Sequence, residues 1–279
     1  MRRTRVAAVL VCLLPMVSMA ARQGSRSEDA PTADPLGTRG TVTANGRYTL
    51  WSVDVPIPGN PRLMQGAAIG GYMSTDLYGR RLGFDLGYRV LTTNAVNAGG
   101  RDLSENSSYT AIEVQPDFNY ALINSTPFFL SAGIGANARI NVMNLDETFA
   151  RSLGSWTTIA AGPNVRARLF LGPNFYATGS LFVGLVKVAG LWTAAGINAS
   201  TVPPQAFYEK GGLEGIFVIN GMASFAWRPL EWFAVSAGFG YRESSFTVVT
   251  AEDASGNTRE LGAGTESDLQ PFAGVEFLY

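Results

Sequence analysis

Residues 128–142 read FFLSAGIGANARINV. Phe128, Leu130, Ala132, Ile134, Ala136, Ala138, Ile140 and Val142 fall on one parity, and Ser131, Gly133, Gly135, Asn137, Arg139 and Asn141 on the other. Successive side chains of a strand point to opposite faces, so the stretch predicts a strand with one apolar and one polar wall. The stretch 109–122 repeats the logic. Thr110, Ile112, Val114, Pro116, Phe118, Tyr120 and Leu122 oppose Tyr109, Ala111, Glu113, Gln115, Asp117 and Asn119. Leu82, Phe84, Leu86, Tyr88 and Val90 likewise oppose Arg81, Gly83, Asp85, Gly87 and Arg89.

Working outward, such segments recur at about 41–54, 63–74, 80–92, 108–122, 127–142, 156–171, 174–191, 213–228, 232–249 and 267–279. Alternation is weakest in the first, second and seventh, so ten strands are expected and eight is the alternative. Tight turns at Asn124-Ser125-Thr126, Gly172-Pro173-Asn174, Pro229-Leu230-Glu231 and Asp76–Gly79 alternate with polar loops near 93–107, 143–155, 192–212 and 250–266. Short turns on one side and long loops on the other predict an all-β, up-and-down antiparallel barrel.

A soluble barrel would turn its apolar faces inward. Two features place them outward, in lipid, and make the barrel transmembrane. The polar face is charged and glycine-rich, as a filled lumen requires. Aromatics gather on the apolar face at the short-turn ends, at Phe118, Tyr120, Phe128, Phe225, Trp227, Phe233, Phe277 and Tyr279. Amphipathic rings favour the headgroup level, so these predict one girdle; Tyr88, Tyr241 and Trp192 are candidates for a thinner second one.

The last segment alternates Pro271, Ala273, Val275, Phe277 and Tyr279 with Phe272, Gly274, Glu276 and Leu278, and the chain stops at Tyr279. This resembles the C-terminal assembly signal of bacterial outer-membrane β-barrel proteins, with Val275, Phe277 and Tyr279 as the signal residues. In scale the chain is similar to small barrels of the OmpA, OmpW and opacity-protein kind, without a motif that selects one. The resemblance implies residence in the cell outer membrane, contact with its lipid, insertion by the barrel-assembly machinery, and both termini in the periplasm. Ten strands is also the count of the omptin proteases, but those need an Asp-His pair that this chain cannot supply.

At the other end, Arg2, Arg3 and Arg5 precede the apolar run Val6–Val17 and the small-x-small triplet Ser18-Met19-Ala20. Residues 1–20 are therefore expected to be an export signal, about a dozen apolar residues being too few for the ~20 of a spanning helix. Residues 21–40 are expected to form a disordered periplasmic leader and 41–279 the barrel.

Composition narrows the chemistry. The 279 residues contain no histidine, so Ser-His-Asp and Cys-His nucleophiles, His-ligated metals and a His base are all excluded. The one cysteine, Cys12, falls in the expected signal, which removes disulfide frameworks and zinc ribbons. A net charge of −1 gives no reason to expect nucleic acid, and no cofactor or metal site is expected. The segment Glu252-Asp253 with Ser255, Gly256 and Asn257 lacks calcium-loop spacing and reads as a solvated loop.

Charge is expected to collect on the inward parity, at Arg81, Asp85, Arg89, Glu113, Asp117, Arg139, Arg166, Arg168, Arg228, Arg242 and Glu276. With more arginine than carboxylate this could line a narrow passage with a mild anion preference. Alternatively, the charges pair across the lumen and plug it, because unpaired charge in a narrow interior is costly. The expected function is non-enzymatic: an envelope-structural barrel with narrow passive solute passage as an option. The alternative is a surface interaction protein acting through its outer loops, whose partner the sequence does not name.

Overall fold

The computed structural model describes residues 40–57, 63–78, 81–98, 100–103, 107–125, 127–147, 150–198, 205–253 and 255–279. The expected export signal and all of the leader but Gly40 lie outside them. The strands are β1 (Gly40–Asp54), β2 (Leu63–Tyr78), β3 (Leu82–Thr93), β4 (Asn97–Ala98), β5 (Arg101–Asp102), β6 (Ser108–Asn124), β7 (Phe128–Glu147), β8 (Ala150–Gly172), β9 (Phe175–Gly184), β10 (Val186–Asn198), β11 (Gln205–Glu214), β12 (Phe217–Leu230), β13 (Phe233–Glu252) and β14 (Thr258–Leu278). β9 and β10 form one interrupted stave, and so do β11 and β12, since each pair lies along the same neighbours. Ten antiparallel staves thus run β1, β2, β3, β6, β7, β8, β9/β10, β11/β12, β13, β14 and back to β1. The β4–β5 hairpin pairs onto β2 outside this ring.

Closure is made by β1 and β14, registered from Thr41↔Leu278 to Asp54↔Thr265. Gly40 and Tyr279 exchange backbone N–H···O bonds of 3.1 Å beyond the end of that ladder. A closed ring leaves no edge, which hydrocarbon demands because it offers no hydrogen-bond partner.

Along each stave the polarity of the two faces inverts at one height. On β1 the inward row Asn45, Arg47, Thr49 gives way to Trp51 and Val53, while the outward row Tyr48, Leu50 gives way to Ser52 and Asp54. On β3 the inward change is Arg89 to Leu91 and the outward one Val90 to Thr92. β6 changes from Glu113 to Ala111 inside, β7 from Asn141 to Met143, and β13 from Ser244 to Phe246. The register makes these points neighbours: Val90 faces Ile112 and Ile112 faces Ile140, as Leu50 faces Leu269 and Leu269 faces Tyr241. Below this height lipid surrounds the wall and the interior is charged. Above it water surrounds the wall, and a dry core that includes Trp51, Met64, Leu91, Tyr109, Met143, Trp156, Trp192, Leu213 and Phe246 fills the bore. The inward charges therefore lie in the membrane half and at the change itself, where Asp268 and Glu266 are registered with Trp51 and Val53.

The turns expected at 172–174 and 229–231 join staves at one end, and the expected aromatics line that rim on the outside; β2 continues to Tyr78, so Asp76, expected in a turn, is part of the strand. The outer loops are shorter than expected. Most of 143–155, 192–212 and 250–266 is strand, because the staves continue past the bilayer as walls of the apolar extension. Trp192 is correspondingly not a girdle residue; it is buried in that core and donates Nε1–H to the Thr250 carbonyl at 2.8 Å. Two adjacent staves break at the inversion height, at Leu185 and at Gly215–Ile216, with Gly184 registered to Val218. Gly215 has φ +59°, a left-handed conformation that glycine adopts without steric cost.

Unboiled protein is expected to migrate differently from boiled protein on SDS gels. Phe246→Ala, which empties part of the outer core, should cost about 3–5 kcal/mol and lower the temperature at which the unboiled species disappears.

Candidate functional site

The charged part of the lumen is built from one row per stave. On β6 the inward row is Glu113, Gln115, Asp117 and Asn119, each two residues from the next and thus on one face. Glu113 is registered with Arg89 of β3 on one side and Arg139 of β7 on the other. It pairs with Arg89, lies 3.6 Å from Arg139 Nη1, and forms an ion pair at 3.0 Å with Arg242 Nε of β13. Its Oε1 also accepts Nδ2–H groups of Asn137 at 2.9 Å and Asn220 at 3.0 Å. In the ring order β6 and β13 stand opposite one another, so the Glu113–Arg242 pair crosses the full bore.

A second crossing runs from β7 to its opposite stave β14, where Arg139 pairs with Asp268. Asp268 also lies 3.4 Å from Arg89 Nη2. Beside it Glu266 accepts Arg242 Nη1–H at 2.5 Å, Trp156 Nε1–H at 2.9 Å and Asn141 Nδ2–H at 3.2 Å. Tyr109 closes the layer, accepting Arg139 Nη2–H at 2.8 Å and donating to Asn141 at 2.8 Å. All these groups are buried. Taking ions from water is costly, and the layer offsets that cost through multiple charge-assisted hydrogen bonds per ion.

Toward the end that carries the short turns and the aromatic rim lies a second group. Asp76, Asp85 and Asp117 stand side by side in register on β2, β3 and β6. Arg166 reaches across from β8 to Asp76 at 3.0 Å, to Asp85, and to within 3.9 Å of Asp117. Gly135 is what lets Asp117 lean toward β7: a Cβ there would fall 1.8 Å from Asp117 Oδ1. Arg47 donates to Gln270 at 2.6 Å and lies 4.2 Å from the centre of the Tyr72 ring. Arg168 stands 5.2 Å from the Tyr176 ring, whose hydroxyl donates to Glu276 at 2.6 Å. Between these groups remain cavities of about 70 Å³ and about 40 Å³.

Nine of the expected lumen residues therefore face inward: Asp85, Arg89, Glu113, Asp117, Arg139, Arg166, Arg168, Arg242 and Glu276. Arg228 is half-buried at the short-turn end, its backbone N–H bound to the Asn174 carbonyl at 2.7 Å. Arg81 is a correction. It precedes β3 at a bend, and its exposed side chain lies against Tyr120 on the outside. Parity applies only inside a strand, and Arg81 is one residue beyond the end of one. The reading also missed Arg47, Asp76, Glu266 and Asp268. The parity of Glu276, continued upstream through Gln270, would have reached Asp268 and Glu266. With these included, carboxylates match or exceed guanidiniums in the lumen, and the arginine surplus behind an anion preference disappears. Among the described residues no cluster of Asp, Glu, His or Cys is placed to hold a metal ion. In the outer turn, Asp253 accepts the Asn257 side-chain N–H and the backbone N–H groups of Ser255 and Asn257. Those donors hold its carboxyl below the usual range, and they serve the turn itself.

Replacing Glu113 with alanine leaves three guanidiniums without their shared partner. Glu113→Ala is expected to destabilise the barrel by about 3–5 kcal/mol, read as earlier loss of the unboiled gel species in urea.

No protein-family model matches the chain, and no curated protein matches it in sequence. Among solved structures it is similar to the outer membrane protease OmpT from Escherichia coli, at TM-score 0.59 and 8% identity over 92% of this chain and 99% of that one. Neisserial surface protein A aligns at TM-score 0.37 and 10% identity over 87% of this chain and 98% of that one. The attachment invasion locus protein Ail of Yersinia pestis aligns at 0.30 and 8%, over 85% and 99%. At such identities the OmpT likeness speaks for fold alone. A closed ten-stave ring, an outward apolar band with its aromatic rim, and that fold likeness make this chain an outer-membrane β-barrel.

Proposed function

We propose that the protein is a closed, non-conducting barrel with an envelope-structural role, whose outer extension is a stiff platform for contacts outside the cell. The observation that carries this reading is the pair of full-width crossings, Glu113–Arg242 and Arg139–Asp268, lying beneath a bore packed with Trp51, Trp156, Trp192 and Phe246. A solute would have to break several buried ion pairs and then displace a dry core. The lack of any histidine supports a non-enzymatic reading, since the sequence cannot supply a His base. The outward row Val275, Phe277 and Tyr279 on the closing stave serves, in this proposal, as the feature that the barrel-assembly machinery reads.

In planar bilayers the protein is expected to give no steady conductance, and Glu113→Ala/Arg242→Ala should stay closed as long as the apolar bore above it is intact. Channels of defined size from the unaltered protein would overturn the closed reading. The platform reading is favoured by the strands that continue above the inversion height. Exchange of 253–257 and the segment 94–107 for unrelated turns should then abolish surface binding while the gel shift on boiling persists.

A further inference from the structure

Arg81 is placed outside the barrel, at the periplasmic rim. Its carbonyl accepts the Ala121 N–H at 2.8 Å, which extends the β3–β6 ladder by one bond and fixes the residue beside Tyr120. Its Nη1–H donates to the Tyr120 hydroxyl at 3.0 Å, and the guanidinium carbon lies 6.0 Å from the ring centre. A guanidinium carries five N–H donors, and here Tyr120 accepts one of them. The result is an exposed, oriented cation at the level where headgroups meet the aromatic rim.

From this point a shallow, open groove runs up the lipid-facing wall, lined by residues that include Leu82, Phe84, Phe118, Tyr120, Ala132 and Ile134. The register orders it. Leu82, Tyr120 and Ala132 are cross-strand neighbours in the first row, and Phe84, Phe118 and Ile134 in the second. Ala132 is the small member, and it makes the floor between the large side chains. The Phe84 and Phe118 rings pack 5.1 Å apart and form one wall. Leu82, Phe118 and Ile134 stand well out from the barrel, so the depression is flanked by ridges.

We propose that this groove and Arg81 form a binding site for one glycerophospholipid of the periplasmic leaflet, with an acyl chain along Ala132 and the phosphate on the guanidinium. Charge complementarity selects the occupant: a phosphodiester is an anion that a guanidinium can grip with paired N–H bonds, and a neutral lipid has none. Position selects the leaflet, because Arg81 lies at the short-turn end, which faces the periplasm. Tyr120 has two duties there, orienting Arg81 with its hydroxyl and edging the groove with its ring.

The test is native mass spectrometry of the full-length mature barrel in mild detergent, titrated with 1-palmitoyl-2-oleoyl-phosphatidylglycerol. Unaltered protein should retain one phospholipid. Arg81→Ala and Ala132→Phe should each weaken retention roughly five- to tenfold, with the gel shift on boiling unchanged. Diacylglycerol with the same chains should bind the unaltered protein no better than phosphatidylglycerol binds Arg81→Ala. Equal retention by all three proteins, equal binding of diacylglycerol and phosphatidylglycerol, or retention of lipopolysaccharide alone would overturn the proposal. If one variant loses its gel shift, the other variant and the diacylglycerol comparison decide.

Discussion

The surroundings of the wall change from hydrocarbon to water at one height, and the rest of the structure answers to that change. In hydrocarbon the outer face must be apolar and the sheet must have no edge, which leaves polar groups only the interior. In water the outer face can be polar, and the hydrophobic effect then fills the bore. Each stave carries both solutions in series, so Leu50 and Ser52, two residues apart on one face, belong to different solvents. The breaks at Leu185 and Gly215 fall at the same height, where the wall passes from one regime to the other.

The charged layer is the membrane half's substitute for a hydrophobic core. An interior facing away from lipid still has to be filled, and here long polar side chains fill it where the wall carries glycines, Arg47 against Gly240 and Asp117 against Gly135. Ion pairs of this kind are weak evidence of stability, because desolvation offsets much of the attraction. Their geometry is more informative. Each of Glu113, Glu266 and Asp268 accepts from more than one stave, so the bore is braced across its width.

Much of this was legible in the sequence. Period-two alternation located all ten staves, and the parity of 109–122 and 128–142 placed Glu113, Asp117 and Arg139 correctly, because a strand's faces are fixed by its pleat. What escaped had physical causes. The staves outrun the bilayer, so their outer ends alternate with the opposite sense, apolar inside and polar outside, and read as loops. Glu266 fell in such a region. Arg81 was misplaced because it lies beyond a strand end, where the chain is free to turn. Trp192 looked like an interfacial aromatic, but above the inversion a tryptophan of its parity faces the core. Arg47 was missed because β1, with Gly46 beside it, alternates weakly.

The distribution of charge along the chain has a consequence for how the ring is completed. Without β14, the central layer holds Arg89, Arg139 and Arg242 with Glu113 as the carboxylate they share. The final stave delivers Glu266 and Asp268 on its inner face and the missing hydrogen-bonding edge on its flanks. A sheet lacking this strand would be mismatched in charge as well as in backbone pairing. A seam that discharges the interior as it zips gives the completed ring an electrostatic latch, and a strand of the same shape without those two acids would fit the gap without locking it.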